Sequence, residues 1–280
     1  MVDNRWVMGK MNPDKETDYV LYNNDCLYVM PLIADKSVDM ILADLPYGTT
    51  ACKWDTIIPF EPLWEQYKRI IKDNGAIVLT ASQPFTSMLV MSNLDWFRYE
   101  IIWEKDRGTN FLQATYQPLK LHENIIIFYK NTPIYNPQKE ILKSKNSLSR
   151  ATRAINDIKR LQGGQYILEG KQKHNLDKFK LPESIIYFKR EIGNNQFKKE
   201  KIFHPTQKPV ALFEYLIKTY TNEGDLVLDN CAGSGTTGVA CKNLGRNYIL
   251  IEKEEKYCEI ARNRIKTIPE SLFYKKGVNK

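Results

Sequence analysis

The sequence predicts an α/β fold, a sheet with helices packed on both faces. Short apolar runs alternate with amphipathic stretches along most of the chain. Its 280 residues, 42% hydrophobic, suffice for one large α/β domain plus an insertion, or for two small domains. One polar, basic stretch interrupts the alternation, and the sequence shows no internal repeat or low-complexity tract.

The elements follow in order. Residues 19–23 read as the first strand, and after them comes Asn24-Asp25-Cys26, where Asp25 suits a helix N-cap or an acceptor for an adenine amine. Residues 38–44 are an apolar run that ends in Asp44-Leu45-Pro46-Tyr47-Gly48. A carboxylate, a rigid bend and an aromatic ring thus stand at the end of a buried strand. An exocyclic amine on a nucleobase is a poor nucleophile, because its lone pair is delocalised into the ring. Two acceptors aimed at its N–H groups draw it toward tetrahedral geometry. Asp44 supplies one by its side chain and Leu45 the other by its carbonyl, whose direction Pro46 partly presets. Tyr47 offers a face on which an extruded base can stack. By themselves the five residues read equally well as a strand-end turn. The loop 49–60, with Trp54, is a candidate lid or a plain surface loop.

A helix at 63–72, a strand at 76–81, a helix at 85–92 and strands at 99–104 and 124–129 come next. Residues 131–203 then carry 16 Lys/Arg against 7 Asp/Glu, which accounts for the whole net charge of +8. Tyr166, Phe179, Tyr187 and Phe188 are interleaved with those cations. A polyanion partner explains the clustering through phosphate contacts, and a solvated lysine-rich surface explains it too. The stretch reads as an inserted recognition region.

His204-Pro205-Thr206-Gln207-Lys208-Pro209 leads into a helix at 210–221. Thr206 and Lys208 suit a carboxylate at a helix entrance, with Pro209 as the rigid first-turn residue. The strand 226–229 runs into Asn230-Cys231-Ala232-Gly233-Ser234-Gly235-Thr236-Thr237-Gly238, a glycine loop and helix start whose unpaired N–H groups can face a ligand. Gly233-x-Gly235-x-x-Gly238 also satisfies a dinucleotide fingerprint, and Glu252, closing the strand 248–252, sits where a ribose-binding acid is expected. An NAD-dependent oxidoreductase therefore competes. Asp229 disfavours a pyrophosphate there and suits a ligand with a cationic amino-acid end, such as S-adenosylmethionine. A last helix, 254–266, sets Tyr257, Ile260, Ala261 and Ile265 on one face.

The five cysteines are odd in number and lack a Cys-x-x-Cys pair, and the three histidines are scattered. Reduced thiols packed as small hydrophobes are expected, with no disulfide framework and no metal site. The chain opens on no basic, apolar leader, and no apolar run nears the ~20 residues that cross a bilayer, so a soluble cytoplasmic protein is expected.

The catalytic-type loop at Asp44–Gly48, the basic stretch, the segment from His204 to Pro209 and the glycine loop come in a permuted order. In that order they resemble the β-class S-adenosylmethionine-dependent DNA amino-methyltransferases, which modify adenine N6 or cytosine N4. The resemblance covers nearly the whole chain. It implies a Rossmann-like seven-stranded methyltransferase sheet, mostly parallel with one antiparallel strand and in circularly permuted motif order. Residues 1–130 would form the catalytic half, 131–203 an inserted target-recognition region for double-stranded DNA, and 204–280 the cofactor-binding half. It further implies that Asp44, Leu45, Pro46 and Tyr47 hold the target base. Asp229, Cys231, Gly233, Gly235 and Thr236 would line the cofactor loop, and Glu252 would bind the ribose hydroxyls. Asp25 would approach the cofactor adenine, and Thr206 and Lys208 its amino-acid end. Leu45 departs from the family's usual proline, which keeps the main-chain acceptor and loses one φ constraint. Asp44 leans toward adenine, since serine is more usual there in the cytosine N4 enzymes. A cytosine N4 enzyme and an inactive DNA-binding relative stay as alternatives. Members often dimerise, which leaves a homodimer open.

Overall fold

The computed structural model describes residues 7–8, 19–50, 52, 55–141, 179–190 and 207–268. In chain order the elements are β1 (Val7–Met8), β2 (Tyr19–Asn23), α1 (Cys26–Val29), β3 (Val38–Asp44), α2 (Phe60–Ile70), β4 (Ile71–Ala81), α3 (Phe85–Met91), β5 (Phe97–Thr109), β6 (Lys120–Phe128), β7 (Glu140–Ile141), β8 (Phe179–Lys180), β9 (Ile185–Tyr187), α4 (Val210–Tyr220), β10 (Leu226–Asp229), α5 (Thr236–Leu244), β11 (Asn247–Glu252) and α6 (Glu255–Lys266). Residues 1–136 and 184–280 form one compact unit. Pro137–Glu183 forms a second, in which β7 and β8 pair as an antiparallel ribbon.

The first unit is built on a sheet ordered β1-β2-β11-β10-β3-β4-β6-β5-β9. The expected seven strands run from β2 to β5, with β6 antiparallel to both of its neighbours. The two-residue β1 and three-residue β9 extend the edges to nine strands. The inner strands read as unbroken apolar runs because both of their faces are covered. Met40 and Leu42 of β3 join Val227, Leu250, Leu216 and Ala261 in one apolar layer. Ile41 and Ala43, the alternate residues, join Tyr67, Phe85, Leu228 and Ile251 in the other.

Several boundaries differ from the sequence reading; the helix expected at 63–72 is Phe60–Ile70, and the strand expected at 124–129 is Lys120–Phe128. The strand expected at 76–81 starts at Ile71, which pairs with Val38 across a register shift. Lys72, the end of the expected helix, and Asp73-Asn74-Gly75 after it are extended. A Cβ at Gly75 would lie 2.8 Å from the Asp39 carbonyl oxygen, so that close approach requires glycine. The strand expected at 99–104 runs from Phe97 to Thr109 and forms, with the start of β6, a hairpin arm.

Candidate active site

A cleft of about 1090 Å³ opens where β2, β11, β10 and β3 end. In a parallel sheet these carboxyl ends form a natural ligand crevice. Each contributes an acid at or just beyond its last residue: Asp25, Glu252, Asp229 and Asp44 all line the cleft. Leu45, Pro46, Tyr47, Lys208, Cys231, Gly233 and Thr236 line it too. Gly235 is not among the lining residues. Its φ is +78°, and a Cβ there would sit 2.7 Å from the Ala261 Cβ, so glycine is required by the turn and by the packing of α6. Thr206 and Trp54 lie outside the described residues.

Asp44 closes β3 with both oxygens engaged. Oδ1 accepts from the Tyr47 hydroxyl at 2.8 Å and from the Thr80 hydroxyl, and Oδ2 lies 2.6 Å from the Lys208 ammonium. Burial, reinforced by the charges of Asp44 and Glu123, holds the Tyr47 phenol well above its ordinary pKa, so it stays a donor. The Tyr47 ring stacks on Phe85 at 5.2 Å between centroids, and the Lys208 ammonium sits 5.5 Å from its centroid. The Leu45 side chain packs in the apolar layer with Ile41 and Ala43.

Lys208 is buried and faces two carboxylates, Asp44 and Glu123, the latter at 3.3 Å. Burial alone would lower its pKa, but those two charges outweigh it and hold the ammonium above the ordinary lysine value. Glu123 is in turn bound through its other oxygen by Lys105. Burial would raise the Glu123 pKa, and the two lysines hold it below the ordinary value instead. Within the cleft the Lys208 ammonium lies against the Asp44–Tyr47 motif.

The glycine loop is braced from within. Asp229 accepts from the Cys231 N–H at 3.0 Å and from the Thr237 hydroxyl, and burial pushes its carboxyl up to about 7 against those two hydrogen bonds. Glu252 accepts from the N–H groups of Gly233, at 2.7 Å, and Glu254, at 2.8 Å, and burial raises its pKa as well. Arg264 of α6 donates to both the carbonyl and the hydroxyl of Ser234 at 2.8 Å. Hydrogen bonding with Cys26, together with burial, keeps the Cys231 thiol protonated. Asp25 caps α1 by accepting from the Leu27 N–H at 2.9 Å, and its other oxygen lies 3.3 Å from Lys253.

Sequence reasoning did not single out Asp55, Thr80, Lys105, Glu123 or Arg264. The Asp55 carboxylate accepts from the N–H groups of Gly48, Thr49 and Thr50 at 2.7–2.9 Å, pinning the turn that follows Tyr47. Burial would raise its pKa, but these donors and the Thr50 hydroxyl lower it.

The cleft thus has two parts. One presents a carboxylate and an aromatic ring at the end of β3. The other sets two buried carboxylates beside a glycine turn and the start of α5, a donor set that fits a cationic ligand carrying hydroxyl groups.

The chain is similar to known proteins over most of its length. A family model described as DNA methylase, of the N6/N4 methyltransferases, matches residues 38–263. The type II methyltransferase M.HinfI of Haemophilus influenzae is 29% identical, over 89% of this chain and 68% of its own. M2.MboI of Moraxella bovis, also a type II methyltransferase, is 28% identical over 91% of each. Among solved structures, the M1.HpyAVI–SAM complex superposes with a TM-score of 0.56 at 24% identity, over 88% of this chain and 98% of that one. The cytosine-N4-specific PvuII DNA methyltransferase superposes with a TM-score of 0.60 at 14% identity, over 91% and 89%.

Proposed function

The chain belongs to the N6/N4 DNA methylase family, and from that membership we propose that it methylates adenine N6 in duplex DNA at a specific site, using S-adenosylmethionine. The observation that carries this reading is the pairing of the Asp44–Tyr47 motif with the glycine loop in one cleft, at the ends of adjacent parallel strands β3 and β10. Aspartate at position 44, where cytosine N4 enzymes more often have serine, favours adenine.

The donor set described above fits the cofactor. Glu252 would take the ribose hydroxyls, and Asp229 and the turn at Gly233 would hold the rest of the molecule. When bound, S-adenosylmethionine supplies an electrophilic methyl group on a sulfonium. The remaining work falls to the chain. The Asp44 carboxylate and the Leu45 carbonyl accept from the two N–H groups of the target amine, which localises its lone pair for direct displacement. Thr80 and the Tyr47 hydroxyl fix Asp44 from behind, and Asp55 fixes the turn that carries Tyr47. Extrusion of the base costs a few kcal/mol of stacking and pairing, which contacts in the cleft offset. The basic stretch 131–203 suits the DNA phosphates.

Incubation with plasmid DNA and S-adenosylmethionine, followed by nucleoside mass spectrometry, tests the reading. N6-methyl-2′-deoxyadenosine is expected, and Asp44→Ala is expected to retain cofactor binding while losing about a hundredfold or more in rate. N4-methylcytosine in its place would reassign the base, and no methylated base at all would sink the activity.

A further inference from the structure

An amine seated on Asp44 and a base stacked on Tyr47 need positions that the Lys208 ammonium takes in the structure. Lys208 is 2.6 Å from Asp44 Oδ2, while Oδ1 is occupied by Tyr47 and Thr80. The same ammonium stands over the Tyr47 ring, whose stacking partner within the protein is Phe85. Lys208 is 6% exposed, and a buried ammonium cannot be left without a partner. A second carboxylate is within reach: Glu123 Oε2, 3.3 Å away. Glu123 does not move freely, because Lys105, itself buried, grips its other oxygen. A register shift between Glu104 and Thr109 in the β5–β6 hairpin accompanies that pairing.

We propose that Lys208 is a placeholder for the target base, covering Asp44 and Tyr47 until the amine arrives and then withdrawing onto Glu123, which Lys105 holds ready. This rests on Asp44 and Tyr47 being the seat of the base. Glu123 is then a positioning residue: it touches neither base nor cofactor, and it acts by giving the displaced ammonium somewhere to go. The arrangement also keeps the carboxylate paired while DNA is scanned, so an amine must compete for the seat rather than fall into it.

The full-length chain tests this with duplexes that carry the methylated sequence, as read from treated plasmid, and with matching duplexes that have an abasic position in place of the target. Glu123→Gln keeps the shape and removes the second anchor. It is expected to weaken binding of target-base DNA by about tenfold or more, the scale of one charged hydrogen bond, and to leave binding of abasic DNA and of S-adenosylmethionine unchanged. Glu123→Asp should recover part of the loss. In a Lys208→Met background Glu123→Gln should cost nothing further, since no ammonium remains to be received. Lys208→Met alone should raise the preference for target-base over abasic DNA, which keeps the idea testable even if Glu123→Gln fails to fold. Equal losses on both duplexes, an undiminished effect in the Lys208→Met background, or a reduced preference in Lys208→Met itself would overturn the placeholder. If the unaltered chain methylates no base, the functional reading fails instead, and the two failures are distinguishable.

Discussion

Among the described residues Asp229 has no oppositely charged partner to offset its burial, and that gives it a measurable signature. Its carboxyl titrates near 7 in the folded chain, against an ordinary value of 3.8. An acid whose folded pKa is raised binds its proton more tightly folded than unfolded. The stability this contributes is full below 3.8 and is lost as pH rises through about 7. Asp229→Asn removes the titration, so the stability of the unaltered chain should fall relative to that variant between pH 4 and pH 7. Denaturant melts of both proteins at pH 5, 6 and 7.5 measure the difference, and parallel pH curves would show that Asp229 is not what titrates. Glu123 behaves oppositely, because Lys105 and Lys208 compensate it. The contrast separates the two parts of the cleft. One is a cluster in which Lys105 and Lys208 offset the charges of Asp44 and Glu123. The other is a pair of acids that a cationic ligand would relieve.

Helix α6 shows how residues that do not themselves line the cleft shape it. Its Ala261 Cβ and Cα stand 2.7 and 3.0 Å from where a side chain at Gly235 would begin, and its Arg264 ties down Ser234. Gly235→Ala should therefore lower both the melting temperature and the affinity for S-adenosylmethionine, with the loop pushed from its turn. Adding Ala261→Gly removes the clashing methyl and should restore part of both, the remainder reflecting the positive φ. Thermal melts with a cofactor titration read this out; an Ala261→Gly that rescues nothing would mean that the strain lies elsewhere.

Elements of this kind were legible in the sequence to unequal degrees. The inner strands β3, β4, β6, β10 and β11 announced themselves because a strand covered on both faces is apolar along its buried length, as Ile41-Leu42-Ala43 and Ile125-Ile126-Ile127 are. Three residues of edge strand, Ile185–Tyr187, gave no such signal, since only Ile186 is buried. The acids at the strand ends were readable as local motifs. Lys105 and Glu123 were not, because they are 18 positions apart and meet only through a bulged hairpin register. Asp55 was hidden for a similar reason: its partners are backbone N–H groups, which no residue pattern advertises.

For the whole molecule, charge and topology decide different things. The excess of cations at 131–203 leaves the rest of the chain close to neutral, so an affinity for duplex DNA that depends on this stretch should fall steeply as salt rises. Binding isotherms on plasmid fragments between 50 and 200 mM salt, a range over which several phosphate contacts are worth orders of magnitude, provide the test. A flat response would assign the charge to a solvated surface. Among the described residues no helix is long and apolar enough to cross a membrane.

The central pair of the sheet, β3 beside β10, joins residues 38–44 to residues 226–229. On the ribosome these strands are born far apart in time. Throughout that interval β3 has β4 along one edge and, along the other, a row of open backbone groups flanked by Met40, Ile41 and Leu42. The nascent chain thus carries an unpaired strand edge until β10 emerges, and long-range parallel pairing of this sort is intrinsically slow. The order of the strands along the chain therefore delays the assembly of the cleft until residues 226–252 have been translated.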